Sequence, residues 1–116
     1  MNTLDTGKRG EAIAVRYLKR NGYRILGRNV REGRHEIDVI ARERSSGTTV
    51  FVEVKTRSPN SYGRPMEAVN ADKQRFLRLA AQSWLLSHGG FEQPARFDVI
   101  EVLLPEASVN HIRNAF

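Results

Sequence analysis

Polar and apolar positions change period several times along the chain, and each change marks an element. Over residues 5–21 the spacing is helical: Ala14, Val15 and Leu18 share a face with Glu11, while Arg9, Arg16 and Arg20 fall elsewhere. Asn21-Gly22 then supplies a helix-ending signal. Residues 23–29 read as a strand. Two stronger strands follow at 36–41 and 49–55, rich in β-branched residues and separated by Ser45-Ser46-Gly47, which predicts a hairpin. Pro59, Asn60, Gly63 and Pro65 make 57–69 an irregular loop. Asn70 caps a second helix running to about residue 88, where Gly89-Gly90 stops it; its apolar stripe is Leu77, Ala80, Ala81, Trp84 and Leu85. Residues 97–104 form another strand and 109–116 a short edge strand. The order α-β-β-β-α-β predicts an α/β fold, a mixed sheet with helices packed on it.

No repeat, low-complexity tract or linker interrupts these 116 residues, so 1–116 reads as a single domain. No apolar run approaches the roughly 18 residues of a membrane span. Met1-Asn2-Thr3-Leu4-Asp5 lacks the basic-then-apolar pattern of a secretory signal. The absence of cysteine excludes disulfides and thiolate metal sites. A cytoplasmic location is the default expectation. Charge changes the picture more: 19 Lys and Arg against 13 Asp and Glu give a net charge of +6. That excess favours polyanionic partners through long-range attraction and counterion release. No long helix pairs a basic face with exposed bulky apolar residues, so a membrane surface fits less well. Nucleic acid is the expected partner, although basic residues that only keep the protein soluble give the same count.

The informative residues are acids inside apolar strands. Strand side chains alternate, so Glu36 and Asp38 share a face, as do Glu53 and Lys55. A two-residue turn at Ser45-Ser46 or a four-residue loop over 44–47 sets the same register, with Asp38 opposite Glu53 and Glu36 opposite Lys55. A three-residue loop ending at Gly47 spoils it. Directly opposed Cβ atoms stand roughly 4.5–5.5 Å apart, and two carboxylates there repel unless a cation or proton lies between them. Carboxylate oxygens suit Mg²⁺ or Mn²⁺. Such an ion polarises a phosphoryl oxygen and acidifies a water, and Lys55 beside it suits developing phosphoryl charge. The plainer alternative is a solvent-facing strand with an ordinary Glu36–Lys55 salt bridge. Glu11, on the apolar stripe of its helix, is a third acid aimed at the sheet, unless it simply complements the helix N-terminus. Gln74 lies on the apolar side of the second helix, where it either points into the same site or is a fraying first-turn residue.

Asp38 followed by Glu53-Val54-Lys55 resembles the bipartite D…(E)xK signature of restriction-endonuclease-like nucleases. The wider pattern is more specific. Gly10-Glu11-Ala12, Gly22-Tyr23-Arg24-Ile25-Leu26, Glu36-Ile37-Asp38 and Phe51-Val52-Glu53-Val54-Lys55-Thr56-Arg57 occur in order. Tyr62-Gly63-Arg64-Pro65, Glu67-Ala68-Val69, Lys73-Gln74, Arg96-Phe97-Asp98-Val99 and His111-Ile112-Arg113-Asn114-Ala115-Phe116 follow. Together these resemble the YraN-like bacterial family over nearly the whole chain, a family similar to archaeal Holliday-junction resolvases. The resemblance implies a restriction-endonuclease-like fold, a central mixed β-sheet flanked by α-helices. It implies metal ligation by Glu11, Asp38 and Glu53, with Lys55 as catalytic lysine and Gln74 as the helix-borne glutamine. Ile37 stands where a proline often precedes the first acid, and His35 where a glycine is expected.

Arg9, Arg57, Arg64 and Lys73 are candidate phosphate contacts, with a solvated basic face as the ordinary alternative. Glu36 is a supporting acid. Asp98, in an apolar strand, reads first as a structural acid bound by backbone or arginine. His88 and His111 are too far apart in sequence to suggest zinc, and Trp84 belongs to the core. The expectation is a Mg²⁺- or Mn²⁺-dependent endonuclease hydrolysing phosphodiester bonds in branched or structured DNA; a homodimer is compatible with the sequence. The rivals are a non-catalytic nucleic-acid-binding module of the same fold, and an interaction protein whose acids form salt bridges.

Overall fold

Two apolar faces on one sheet, each matched by one amphipathic helix, organise the chain. The computed structural model describes residues 3–58 and 70–116. In chain order the elements are α1 (Thr3–Arg20), β1 (Tyr23–Glu32), β2 (His35–Glu43), β3 (Thr49–Arg57), α2 (Ala71–Ser87), β4 (Ala95–Leu103) and β5 (Ser108–Ile112). The strands form one sheet in the order β1-β2-β3-β4-β5. All neighbours are antiparallel except β3 and β4, which run parallel and are joined through α2. A parallel pair needs such a crossover, and here α2 supplies it.

The helices cover opposite faces. Ala14, Val15 and Leu18 of α1 pack on Val39, Ala41, Val50, Val52, Ile100 and Val102. Leu77, Ala80, Ala81, Trp84 and Leu85 of α2 pack on Ile37, Ile40 and Phe51. Both stripes are those the helical spacing predicts, and Trp84 is core. The caps also follow the sequence: Asn70 accepts from the Lys73 amide at 2.8 Å, and Gly22 after α1 takes φ +86°, a conformation that suits a residue without Cβ.

Several boundaries differ from expectation: α1 spans Thr3–Arg20, β2 runs from His35 to Glu43, and β4 begins at Ala95. β1 continues past residue 29 to Glu32, because Asn29 adopts φ 50° within the strand and Val30 still pairs with Ile37. Arg57 closes β3 instead of opening the loop. β4 stops at Leu103, and β5 is confined to Ser108–Ile112, after which the chain turns so that Phe116 stacks on Phe97 at 5.0 Å. The remainder of the expected loop lies outside the described residues.

Gly10 determines how closely α1 approaches β3. A Cβ built there would lie 1.9 Å from Thr56 Oγ1 and 3.0 Å from Thr56 Cβ. Alanine is the better helix former, yet Gly10→Ala should lower stability by about 1–3 kcal/mol through overpacking. Adding Thr56→Ala should recover part of that loss in thermal melts. A Gly10→Ala protein as stable as wild type would refute the close approach.

Candidate functional site

β2 and β3 are paired from Arg42↔Thr49 to Val39↔Val52 and then part. Beyond that point β2 stays on β1 through Ile37, Glu36 and His35, while β3 stays on β4. The next pair in the same register is Asp38 and Glu53, which stand at the fork. The four-residue loop sets this register: the Glu43 amide donates to the Thr48 carbonyl at 2.9 Å. Asp38 takes the place of a missing ladder bond, accepting from the Val54 amide at 2.8 Å. Strand alternation also breaks here. Ile37 and Ile40 both join the α2 core, whereas Val39 and Ala41 join the α1 core.

Glu11 reaches the same place from α1. A cleft of about 340 Å³ is lined by Thr6, Gly7, Glu11, Asp38, Glu53 and Thr56. The close contact at Gly10 brings its neighbour Glu11 to this cleft, which gives the Gly10-Glu11 pair a physical reason. Burial and the facing Glu53 carboxylate push the Asp38 carboxyl up to about 7, against the Val54 amide bond that lowers it; Glu11 raises it further. Burial and the neighbouring acids together thus disfavour the ionised form of Asp38.

The cations around Glu53 are arranged differently from the sequence pattern. Lys55 Nζ lies 3.9 Å from Glu53 Oε1, not on Glu36, so the ordinary cross-strand pair does not form. Lys73, a candidate phosphate contact, reaches from the first turn of α2 to Glu53 Oε1 at 2.6 Å. Glu36 is exposed and connects to Glu11 through Asn29. In the orientation that satisfies both ends of its amide, the Asn29 nitrogen donates to Glu11 Oε1 at 3.1 Å and to Glu36 Oε1 at 3.2 Å. Gln74 sits half-buried in the first turn of α2. Arg9 is exposed on α1. Arg57 is largely buried beside Glu101, with Nε 3.5 Å from Oε2, and so is held in the sheet instead of displayed. Arg64 lies outside the described residues.

Asp98 lies in a separate network. It is fully buried and contacts Arg96 Nε at 3.0 Å, His111 Nε2 at 2.7 Å and the Asn114 amide at 2.9 Å. Burial alone would raise its carboxyl, but the bonds from His111, Arg96 and Asn114 outweigh it and hold Asp98 below its ordinary range. Arg96 also reaches Glu43, whose carboxyl is drawn down to about 2 by the Ser46 hydroxyl and then by Arg96. Asp98 is thus a structural acid, as its place in an apolar strand suggests.

Sequence patterning does not reveal the part of Asn29 or the Lys73–Glu53 pair, and it marks His35 without a role; in the structure the His35 ring stacks on Phe76 with centroids 4.5 Å apart. Asn29 carries a local signal as a polar residue in a weak strand, but that pattern equally marks a strand end.

The donor set suits a hard divalent cation: oxygen ligands only, with the Glu53 and Glu11 carboxylates close enough to disfavour ionisation of Asp38 unless a cation joins them. Asp38, Glu53 and Glu11 are the residues that would hold it. Among the described residues no three acidic or imidazole groups are already drawn together tightly enough to form a cage. The Lys73 ammonium provides the positive charge at Glu53.

The raised carboxyl makes a prediction for protein in EDTA. A folded-state pKa above the unfolded one contributes stability that is complete below the ordinary 3.8 and is lost as pH rises through about 7. Asp38→Asn keeps the acceptor for Val54 and removes the charge. It should therefore stabilise the fold by about 1–2 kcal/mol near about pH 8 and by little near about pH 4. Equal effects on melting at both pH values would contradict the charge account.

The sheet order and its two covering helices define a small α/β protein of restriction-endonuclease-like architecture, with acids at a strand fork. No helix among the described residues is long and apolar enough to cross a membrane. The chain belongs to the family described as "Uncharacterised protein family UPF0102", whose model matches residues 10–102. It is 48% identical over 115 residues to a UPF0102 protein of Pelobacter propionicus, covering 97% of this chain and 82% of that one. It is 51% identical over 114 residues to a UPF0102 protein of Alkaliphilus oremlandii, covering 95% and 96%. A Rhodococcus jostii relative is 42% identical over 118 residues, covering 99% and 98%.

Proposed function

We propose that this protein is a metal-dependent endonuclease that hydrolyses phosphodiester bonds in structured or branched DNA. The observation carrying this reading is the fork that exposes Asp38 and Glu53 to one cleft with Glu11, leaving acid repulsion that a cation would relieve. Bound there, Mg²⁺ or Mn²⁺ would supply Lewis acidity toward a phosphate oxygen and lower the pKa of a water. Asp38, fixed by the Val54 amide, holds one ligating carboxylate still. Glu53 holds the second, and Glu11, steadied by Asn29, the third. Lys55, next to Glu53, offers a positive charge to a pentavalent phosphoryl group. Exposed Arg9, Arg28, Arg31 and Arg34 add positive charge along α1 and the β1–β2 hairpin for the DNA backbone.

One observation favours a second reading, a nucleic-acid-binding module without catalysis. Lys73 already stands 2.6 Å from Glu53 and neutralises it. Cleavage of junction, flap and duplex DNA in Mn²⁺ separates the two. The enzyme should cut at least one substrate and lose that activity in EDTA. Its DNA affinity should fall roughly a hundredfold between about 50 and about 200 mM salt if some four phosphates are contacted. Salt-sensitive binding with no cleavage in Mg²⁺ or Mn²⁺ would select the binding module. Absence of binding at low salt would refute both.

A further inference from the structure

Beside the acid cleft lies a second, larger pocket of about 430 Å³, between the start of β2 and the first turns of α2. Its walls include Arg34, His35, Glu36, Lys73 and Phe76, with buried Leu77 behind them. Three features distinguish it from an ordinary surface dip. Phe76 is 39% exposed although it is a large apolar side chain, and the His35 ring lies nearly parallel to it, inclined by 13°. Just outside the pocket wall, the Arg75 guanidinium, a flat cation, lies over the same phenyl ring at 5.7 Å and is tied to Asp72 of the wall at 3.1 Å. That guanidinium marks a face able to accept another flat π system. The pocket is also linked to the acids through side chains: Lys73 forms its wall and reaches Glu53, and Glu36 forms its wall and shares Asn29 with Glu11.

We propose that this pocket receives an unpaired nucleobase of the DNA strand whose phosphate lies at the acid cleft. The proposal rests on the nucleic-acid reading above and narrows its substrate to DNA with unpaired nucleotides at the cut. The base stacks on Phe76, backed by His35, and displaces the exposed Arg75 side chain. Stacking on an aromatic ring is available to every base and needs no sequence match. Glu36 accepts from a base amino group, the contact that carboxylates make with exocyclic amines. Arg34 and Lys73 flank the strand with the positive charge its phosphates require. A base paired inside an intact duplex cannot enter without leaving its stack, which costs a few kcal/mol. Single-stranded, flapped or junction DNA is thereby favoured.

Binding measured in EDTA tests the pocket apart from catalysis. The probes are a single-stranded oligonucleotide carrying fluorescent aminopurine and its blunt duplex, each titrated with the full chain. The single strand should bind more tightly than the duplex, with its emission quenched on binding. Phe76→Ala should weaken single-strand binding roughly tenfold and abolish the quench, leaving duplex binding unchanged. Phe76→Tyr should restore both. Quenching that persists in Phe76→Ala, or equal unquenched binding of both probes, would overturn the pocket while leaving Mn²⁺-dependent cleavage to stand on its own assay. A quenched, Phe76-dependent complex in a protein that cuts nothing would support the pocket and refute the nuclease. Failure to bind either probe would refute the pocket together with the nucleic-acid reading.

Discussion

Asp38→Asn should lower Mn²⁺-dependent DNA cleavage by about two orders of magnitude or more, while DNA binding survives or tightens. The side chain keeps its volume and can still accept from the Val54 amide, so the strand fork should persist. What is lost is one ligating charge at a site where Glu53 and Glu11 supply the rest. Removing a negative charge that faces the phosphate favours binding. Lys55→Ala should differ in kind: turnover falls by roughly a hundredfold, but Mn²⁺ still raises the melting temperature, because the proposed work of the lysine is on developing phosphoryl charge. In Asp38→Asn that metal-induced rise should shrink or vanish. Melting curves recorded beside the assay separate an inactive fold from an unfolded one. Unchanged cleavage in both variants would place the activity elsewhere or in a contaminant.

How much of this was legible without coordinates depends on the range of each interaction. Ala14, Val15 and Leu18 on α1, and Leu77 through Leu85 on α2, declare their faces by local period, and they are the core. The opposition of Asp38 and Glu53 was legible as well. Two of the three plausible hairpin loops give that register, and the observed one, closed by Glu43 and Thr48, is of that kind. Glu11 declared itself as a carboxylate on an apolar stripe.

The missed features depend on backbone breaks or on residues remote in sequence. A polar Asn29 in a weak strand pattern looks like an end; in the sheet it is a left-handed step that keeps β1 paired with β2 beyond the fork. Alternation predicts Ile37 and Val39 on one face, but the chain shifts at Asp38 and they join different cores. Lys73 and Arg57 looked alike, as basic residues bracketing a loop. Tertiary pairing set their roles: the first meets Glu53 from another layer, and the second meets Glu101 on the adjacent strand. No local pattern encodes the stack of His35 on Phe76.

Asp98→Ala should be the most damaging single change to stability, at about 3–5 kcal/mol, or a melting temperature about 10–20 °C lower. The carboxylate is fully buried, and its partners come from three places: Arg96 on its own strand, His111 on β5 and the Asn114 amide beyond it. Its removal leaves the Arg96 guanidinium with Glu43 and Tyr23, while His111 keeps only its bond to Tyr17 at 3.0 Å. A part-buried guanidinium cut from two carboxylate partners to one, together with an imidazole nitrogen and a backbone amide that lose their acceptor, costs more than the loss of an ordinary surface bridge. The pH dependence has a definite sign. Because the folded-state pKa of Asp98 lies below its ordinary 3.8, its contribution is present above that value and is lost as pH falls through the depressed one. Wild type should therefore lose stability steeply below about pH 4, and Asp98→Ala should lose less over the same interval. Asp98→Asn should fall between them, since an amide still accepts from the Asn114 backbone but cannot balance Arg96. Since Asp98 does not line the acid cleft, metal-dependent cleavage by the folded fraction of Asp98→Asn should remain within about threefold of wild type. A large loss of cleavage in protein shown to be folded would mean that Asp98 acts on the site after all.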